Sequence, residues 1–517
     1  MHPYQYASSH PQRPAFVIAD KGLQLSYAEL EERSNKVAHL FRQHGLAPGD
    51  RAGVILKNTL DFPVIYWGAQ RSGIILTLIS THLKPEEAAY ILNDSHSRLL
   101  ISDNSASEVL AVLASSELTP GVEAFYDAGE QPAPGTSSFH EALAPLPGTP
   151  IADQTAGYHL LYSSGTTGRP KGIAHKFTPG PIENLSPTDS SVRLYQAFDP
   201  LVTFTAGPVY HGAPLHTLLL THRLGGTFVT LSKFDEEQTL KAIQDWHISV
   251  AQFVPTMFVR MLALPQAVRE SYDLSSLRYV SHAAAPCPAG IKQQMFDWLG
   301  PIIHEYYSST ENLGATYIGP QEWLQKPGSV GKSVTGKIHI CDEETGAEKP
   351  AGEPGLIYFE LGEGRGFDYI NEPEKTRKVR HPTEPDWGTP GDIGYLDEDG
   401  YLFLTDRKDF TIISGGVNIY PQIIEDTLIV HRDVLDAAVI GVPNPEFGEE
   451  VKAIIQLKDP DCDKALVKEE LIRWCKSHTS SINCPRSFEF VDAIPRLPSG
   501  KLAKHELRRL YGSGSAW

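Results

Sequence analysis

Tyr162-Ser163-Ser164-Gly165-Thr166-Thr167-Gly168-Arg169-Pro170-Lys171-Gly172 begins where the strand-like run His159-Leu160-Leu161-Tyr162 ends. Gly165 and Gly168 let the backbone approach a ligand closely, and Ser163, Ser164, Thr166 and Thr167 add hydroxyl donors to the loop amides. Lys171 supplies a mobile positive charge suited to phosphate oxygens. The spacing is not Walker A, because Lys171 lies three residues after Gly168 and is followed by Gly172 where that motif needs Ser or Thr. An ordinary flexible turn would use the same residues, so composition alone leaves both readings open.

On the N-terminal side of this loop, Ser26 and Glu29 form a capping box before a helix whose apolar face carries Leu30, Val37 and Phe41. Short apolar runs at 52–56, 74–79 and 98–102 then alternate with helix-length stretches, the rhythm of βα units around a buried, largely parallel sheet. A looser Pro/Gly/Ala/Ser-rich segment spans 115–155. Beyond the loop, strands are expected at 202–206, 226–230 and 249–254, with a helix over Phe234–Trp246. Two more apolar segments, 277–281 and 302–307, end in small or hydroxylated residues, and ligands of open α/β sheets bind at such strand ends. From 330 to 405, short strands and the Asp399-Gly400 turn predict a β-rich subdomain. A smaller α+β unit follows from about 409. The expected fold is therefore α/β and α+β: a large N-terminal domain (1–408) with parallel-type sheets flanked by helices plus the β-rich subdomain, and a small C-terminal domain (409–517).

Composition narrows the function classes. A chain of 517 residues exceeds what one core sustains. Its net charge of −18 argues against indiscriminate binding to nucleic acid or anionic membrane. Five cysteines without a CxxC pair read as reduced thiols of an intracellular, cytoplasmic protein. The N-terminus lacks a secretory pattern and no run is long and apolar enough to span a bilayer, so integral membrane contact is not expected. The final Gly-Ser-Gly-Ser-Ala-Trp reads as a flexible tail.

The hydroxyl-glycine loop resembles the phosphate loop of the AMP-forming adenylate superfamily, which includes the acyl- and aryl-CoA synthetases, and the resemblance runs over nearly the whole chain. Tyr307-Ser308-Ser309-Thr310-Glu311 is similar to the Tyr-Gly-x-Thr-Glu signature, implying that Thr310 meets phosphate and Glu311 helps hold Mg²⁺; Ser308 replaces the usual Gly. His282-Ala283-Ala284-Ala285-Pro286 takes the place of the stretch lining adenine. Gly391-Asp392-Ile393-Gly394 resembles the ribose motif, with Asp392 as acceptor. Arg407 matches the nucleotide-contacting arginine and Asp409 the interdomain pivot, followed here by Phe410 where an acidic residue is common. Ser414-Gly415-Gly416 resembles the segment lining the pantetheine tunnel. Pro498-Ser499-Gly500-Lys501 matches the signature of the catalytic lysine. Tyr210-His211-Gly212 and Val254-Pro255-Thr256 correspond to edges of the acyl pocket, with His282 and Ala283 nearby.

These matches imply a two-step ligase using ATP, Mg²⁺ and CoA. A carboxylate attacks the α-phosphate to give acyl-AMP and pyrophosphate, and a thiol then takes the acyl group. Lys501, Lys171, Thr310 and Glu311 are the expected catalytic residues, and a mobile C-terminal domain changes the constellation between steps. Small residues around the acyl site suggest a medium or long fatty acid or a bulky cyclic or aromatic carboxylate. Loading of a carrier protein, a luciferase-like reaction and a degenerate nucleotide-binding scaffold are the alternatives, and a homodimer remains open.

Overall fold

The computed structural model describes residues 1–163, 170–175, 177, 179–184, 192–362, 366–414, 417–497 and 500–512. Ser164 to Arg169, Gly415, Gly416, Pro498, Ser499 and residues 513–517 of the tail lie outside the described residues.

Among the described residues the chain forms three sheets. One has eight strands, in which Arg51–Ile55 lies between Ile75–Leu78 and Ser97–Ser102, all parallel. These are the apolar runs expected from sequence; both faces are covered, so they carry hydrophobic residues continuously instead of alternating. Tyr158–Ser163 extends this sheet in parallel, and Lys171–His175 returns antiparallel beside it. The loop of the opening motif thus joins two adjacent strands. Gly172 belongs to the return strand, where a Cβ would lie 2.7 Å from the Tyr162 ring, so no larger residue fits without displacing that ring.

The second sheet has fourteen strands and changes character along its width. From Pro14–Ile18 through Val250–Phe253 and Tyr279–His282 to Ile303–Ser308 neighbouring strands run parallel. Ile303–Ser308 then pairs antiparallel with Ala315–Ile318, and the antiparallel pattern continues through Ser329–Thr335, Leu402–Arg407, Asp392–Leu396, Gly355–Glu360 and Ile338–Cys341. The β-rich subdomain expected at 330–405 is therefore the outer half of one continuous sheet. Tyr307 and Ser308 end the strand at which the pattern switches.

The Ser26 capping box forms, with reciprocal Ser26 and Glu29 bonds, at the head of the helix Tyr27–Gln43, and Leu30, Val37 and Phe41 are buried. Such a cap is worth about 1 kcal/mol. The segment 115–155 is more ordered than its composition suggests, with strands Ala124–Asp127 and Ser137–Ser138 and the short helix Phe139–Leu143. Phe139 is buried there and anchors the segment. Beyond the strand Leu402–Arg407 the smaller α+β unit has a five-stranded sheet led by the long hairpin Val434–Asn444 and Gly448–Leu457, packed by helices Pro421–Ile429, Lys464–His478 and Lys504–Tyr511. No helix among the described residues is long and apolar enough to cross a membrane.

Candidate active site

A cavity of about 2250 Å³ opens where the large domain meets the smaller unit. Strand carboxyl ends supply much of its wall: Ser163, Val254, Ala283 to Pro286, and Ser308 to Glu311. Asp392, Arg407, Asp409, His211, Gly212, Lys171 and Lys501 also line it.

Asp392 is fixed from two sides. Its Oδ2 accepts a bond from the Tyr307 hydroxyl at 2.6 Å, and its Oδ1 faces Arg407 Nε at 3.2 Å. Each carboxylate oxygen has a second lone-pair direction, so acceptor capacity remains for a ligand hydroxyl. Burial, reinforced by Asp392, pushes the Tyr307 hydroxyl well above its ordinary pKa, so it stays a donor. Glu311 Oε1 accepts from the Tyr369 hydroxyl at 2.8 Å, and Lys171 Nζ stands 5.0 Å from the centre of the same ring. Tyr369, on the edge strand Phe367–Tyr369, thus aligns a carboxylate and an ammonium that come from distant parts of the chain. Ser308, in place of the usual Gly, donates its hydroxyl to the Gly314 carbonyl at 2.9 Å, so the substitution is absorbed within the turn. Ser309 Oγ is buried without a hydrogen-bond partner among the described residues. Ala284 adopts φ 74° on the cavity wall, a left-handed conformation that costs energy for any residue with a Cβ and recurs at ligand sites.

The smaller unit reaches into this cavity through Lys501. Burial and the Arg407 charge pull its ammonium down to about 8, while Asp392 and Glu311 act in the opposite direction. His211 Nε2 is buried without a partner among the described residues, and burial followed by the Lys501 charge lowers the imidazole to about 4. The Lys501 loop rests on the large domain: Gly500 has φ +84°, and a Cβ there would lie 3.0 Å from the Val254 side chain. Arg496 grips Asp436 through Nε and Nη2 at 2.8 and 2.6 Å and donates from Nη1 to the Gly500 carbonyl at 2.7 Å. Across the junction, the Gln422 amide at the head of helix Pro421–Ile429 donates to Asp406 Oδ2 at 3.0 Å.

Two residues expected at the acyl site lie behind it. Tyr210 is buried in the hydrophobic core, its ring 4.7 Å from that of His211, and is not among the residues lining the cavity. His282 is fully buried, 3.4 Å from Glu305 in a pocket shared with Lys292. Ser414 is buried in the strand Ile412–Ser414 and is not among the residues lining the cavity. Sequence reading missed Tyr369 and Asp406, which act on site residues only through the folded arrangement.

Residues 4–362 match the AMP-binding enzyme family and residues 423–501 match the AMP-binding enzyme C-terminal domain. The chain is 27% identical over 513 residues to the long-chain-fatty-acid–CoA ligase FadD13 of Mycobacterium tuberculosis, covering 98% of this chain and 97% of that protein. Its fold is similar to the crystal structure of the anthranilate CoA ligase AuaEII in complex with anthranoyl-AMP, with a TM-score of 0.84, 26% identity, and 98% and 96% of the two chains covered. It is also similar to ATP-bound MatB from Rhodopseudomonas palustris, with a TM-score of 0.80, 28% identity and 99% of each chain covered.

Proposed function

The chain belongs to the AMP-binding enzyme family and is an AMP-forming acyl-adenylate ligase, and from that premise we propose that it transfers the activated acyl group to the thiol of CoA. The observation that carries the site assignment is the convergence of Lys171, Glu311, Asp392 and Arg407 with Lys501, which comes from a different part of the fold, on one cavity.

In the first step the substrate carboxylate attacks the α-phosphate of ATP and pyrophosphate leaves. Asp392, held by Tyr307 and Arg407, accepts from the ribose hydroxyls; Lys171 and the hydroxyl loop bind phosphate oxygens; Thr310 and Ser309 offer hydroxyls to the same anion. Lys501 bridges the carboxylate and a non-bridging α-phosphate oxygen, easing their mutual repulsion and stabilising the charge that builds on the phosphoryl oxygens as the new bond forms. Glu311 fits a divalent cation, since it is a hard oxygen ligand held by Tyr369 beside Lys171, and Mg²⁺ bound there would neutralise phosphate charge. In the second step the CoA sulfur attacks the acyl carbonyl and AMP leaves. The unit beyond Asp409 pivots there, withdrawing Lys501 and bringing in the segment Ser414 to Gly416. One enclosure cannot serve both steps equally well, and alternating closures also keep water from the labile adenylate.

Relatives named for a fatty acid and for anthranilate leave the acid open within the class of fatty, cyclic and aromatic carboxylates. The deciding experiment is a carboxylate panel with ATP and CoA, following AMP and thioester mass together. Equimolar AMP and acyl-CoA with at least one acid is expected. AMP release with no thioester from any acid would overturn the CoA assignment while leaving adenylation intact.

A further inference from the structure

Beside the turn carrying Thr310, the cavity wall is built of rings with polar edges. His175 Nε2 meets the Thr310 carbonyl at 3.2 Å. The antiparallel register pairing Leu161 with Ile173, carried two residues further, sets His159 opposite His175. His216 faces the same space from the helix Gly212–Arg223, and Tyr158, Tyr195 and Tyr306 complete this wall. Tyr158 lies flat on His159, with centroids 4.6 Å apart and planes 19° apart. A second flat contact, with Phe177 at 5.3 Å and 18°, continues the stack.

His159 is oriented from behind. Its Nδ1 shares a hydrogen bond with the Tyr66 hydroxyl at 2.9 Å, so Nε2 is the edge left to the cavity the residue lines. Burial, with His175 and His216 as neighbours, pushes the imidazole down to about 3. It therefore stays uncharged, offering one directed hydrogen bond and no charge for a second carboxylate.

We propose that this site takes a ring-bearing carboxylate carrying a neutral oxygen substituent, hydroxyl or keto, and that His159 is the specificity-determining residue that binds that oxygen. The proposal rests on the acid-ligase reading above and narrows its acid. A saturated chain pressed against His159 would strip water from Nε2 and return no hydrogen bond. A flat ring instead packs among the tyrosines lining this wall, and its oxygen satisfies Nε2. Sites built to hydrogen-bond a substrate group discriminate strongly against analogues without it.

The test compares AMP release from ATP with nonanoate, 3-phenylpropanoate and its 2-, 3- and 4-hydroxy forms, together with a fused-ring keto acid and its deoxo analogue. At least one oxygenated acid should exceed its own deoxy partner and nonanoate by about tenfold or more in kcat/KM. His159→Leu should collapse that ratio to about threefold or less, and His159→Gln, which keeps a hydrogen-bonding edge, should restore part of it. Nonanoate equal to or better than every ring acid overturns the proposal on the wild-type protein alone. So does His159→Leu lowering oxygenated and deoxy acids equally. Should the Leu variant fail to fold, the Gln variant carries the ratio measurement, and a ratio there equal to that of the wild type is again fatal. AMP release from none of these acids would instead count against the broader acid-ligase reading, so the two failures separate.

Discussion

Lys292 and Lys501 are both enclosed by protein, and they are opposite in kind. Lys292, on the helix Ala289–Leu299, is fully buried, with its ammonium 2.7 Å from Glu305 and 4.8 Å from the centre of the Trp323 ring. Lys501 sits in the cavity between a repelling Arg407 and the attracting Asp392 and Glu311, and its ammonium is lowered to about 8. The first charge is matched locally and holds a wall in place. The second is enclosed without equal compensation, which is costly unless a further anion completes the set. The triphosphate and carboxylate of the proposed first step are such anions.

The sharpest break of this comparison is Lys292→Met. Removing one partner of a buried pair strands the other, and such losses run to about 3–5 kcal/mol. Denaturant unfolding should show a loss of that order, and Lys292→Met combined with Glu305→Gln should recover part of it. A stability within about 0.5 kcal/mol of the parent would mean that the pair is not what holds this wall.

Lys501→Ala should do the reverse. Acyl-AMP formation should fall by about 10²- to 10³-fold, the scale of losing one preorganised donor at a developing charge, while the thermal midpoint stays the same or rises because an uncompensated buried charge is gone. The pH profile follows from the direction of the shift. A lysine lowered to about 8 is increasingly neutral as pH rises through that value, so kcat/KM for adenylation, which reports the free enzyme, should descend with a limb near pH 8. Saturating ATP adds negative charge beside the ammonium and should move the limb upward in kcat. Lys501→Arg should abolish the limb, since guanidinium does not titrate there. A limb unchanged by that substitution would assign it to another group.

Much of the framework is legible in the sequence for a physical reason. Strands buried on both faces, such as Arg51–Ile55 and Ser97–Ser102, stand out as unbroken apolar runs, and the capping box at Ser26 is a local signal. The short edge strand Leu23–Ser26 and the helix Tyr4–Ser9 lack either cue, because each is stabilised by what it packs against. Motif lysines and carboxylates are readable one by one. Tyr369 is not, because its bond to Glu311 bridges 58 residues, and Asp406 becomes a helix-terminus acceptor only once Gln422 is folded against it. Tyr210 and His282 show the converse: adjacency to a motif does not say which way a ring points.

The least drastic variant bears on how Lys501 comes to be held where it is. Arg496 joins Asp436, on the strand Val434–Asn444, to the Gly500 carbonyl, so it fixes the base of the lysine loop without lining up with the reacting atoms. A backbone displacement of about 1 Å suffices to lose much of the benefit of a positioned group. Arg496→Ala should therefore lower kcat for adenylation by about tenfold with little change in the KM for ATP, and loss of the largely buried, two-pronged ion pair should cost about 1–3 kcal/mol of stability. Arg496→Lys can restore charge to Asp436 but cannot span both Asp436 and Gly500 with a rigid fork, so its rescue should be incomplete. Full rescue by Lys would show that charge at Asp436 suffices, and a KM effect matching the kcat effect would move Arg496 from positioning the lysine to binding nucleotide.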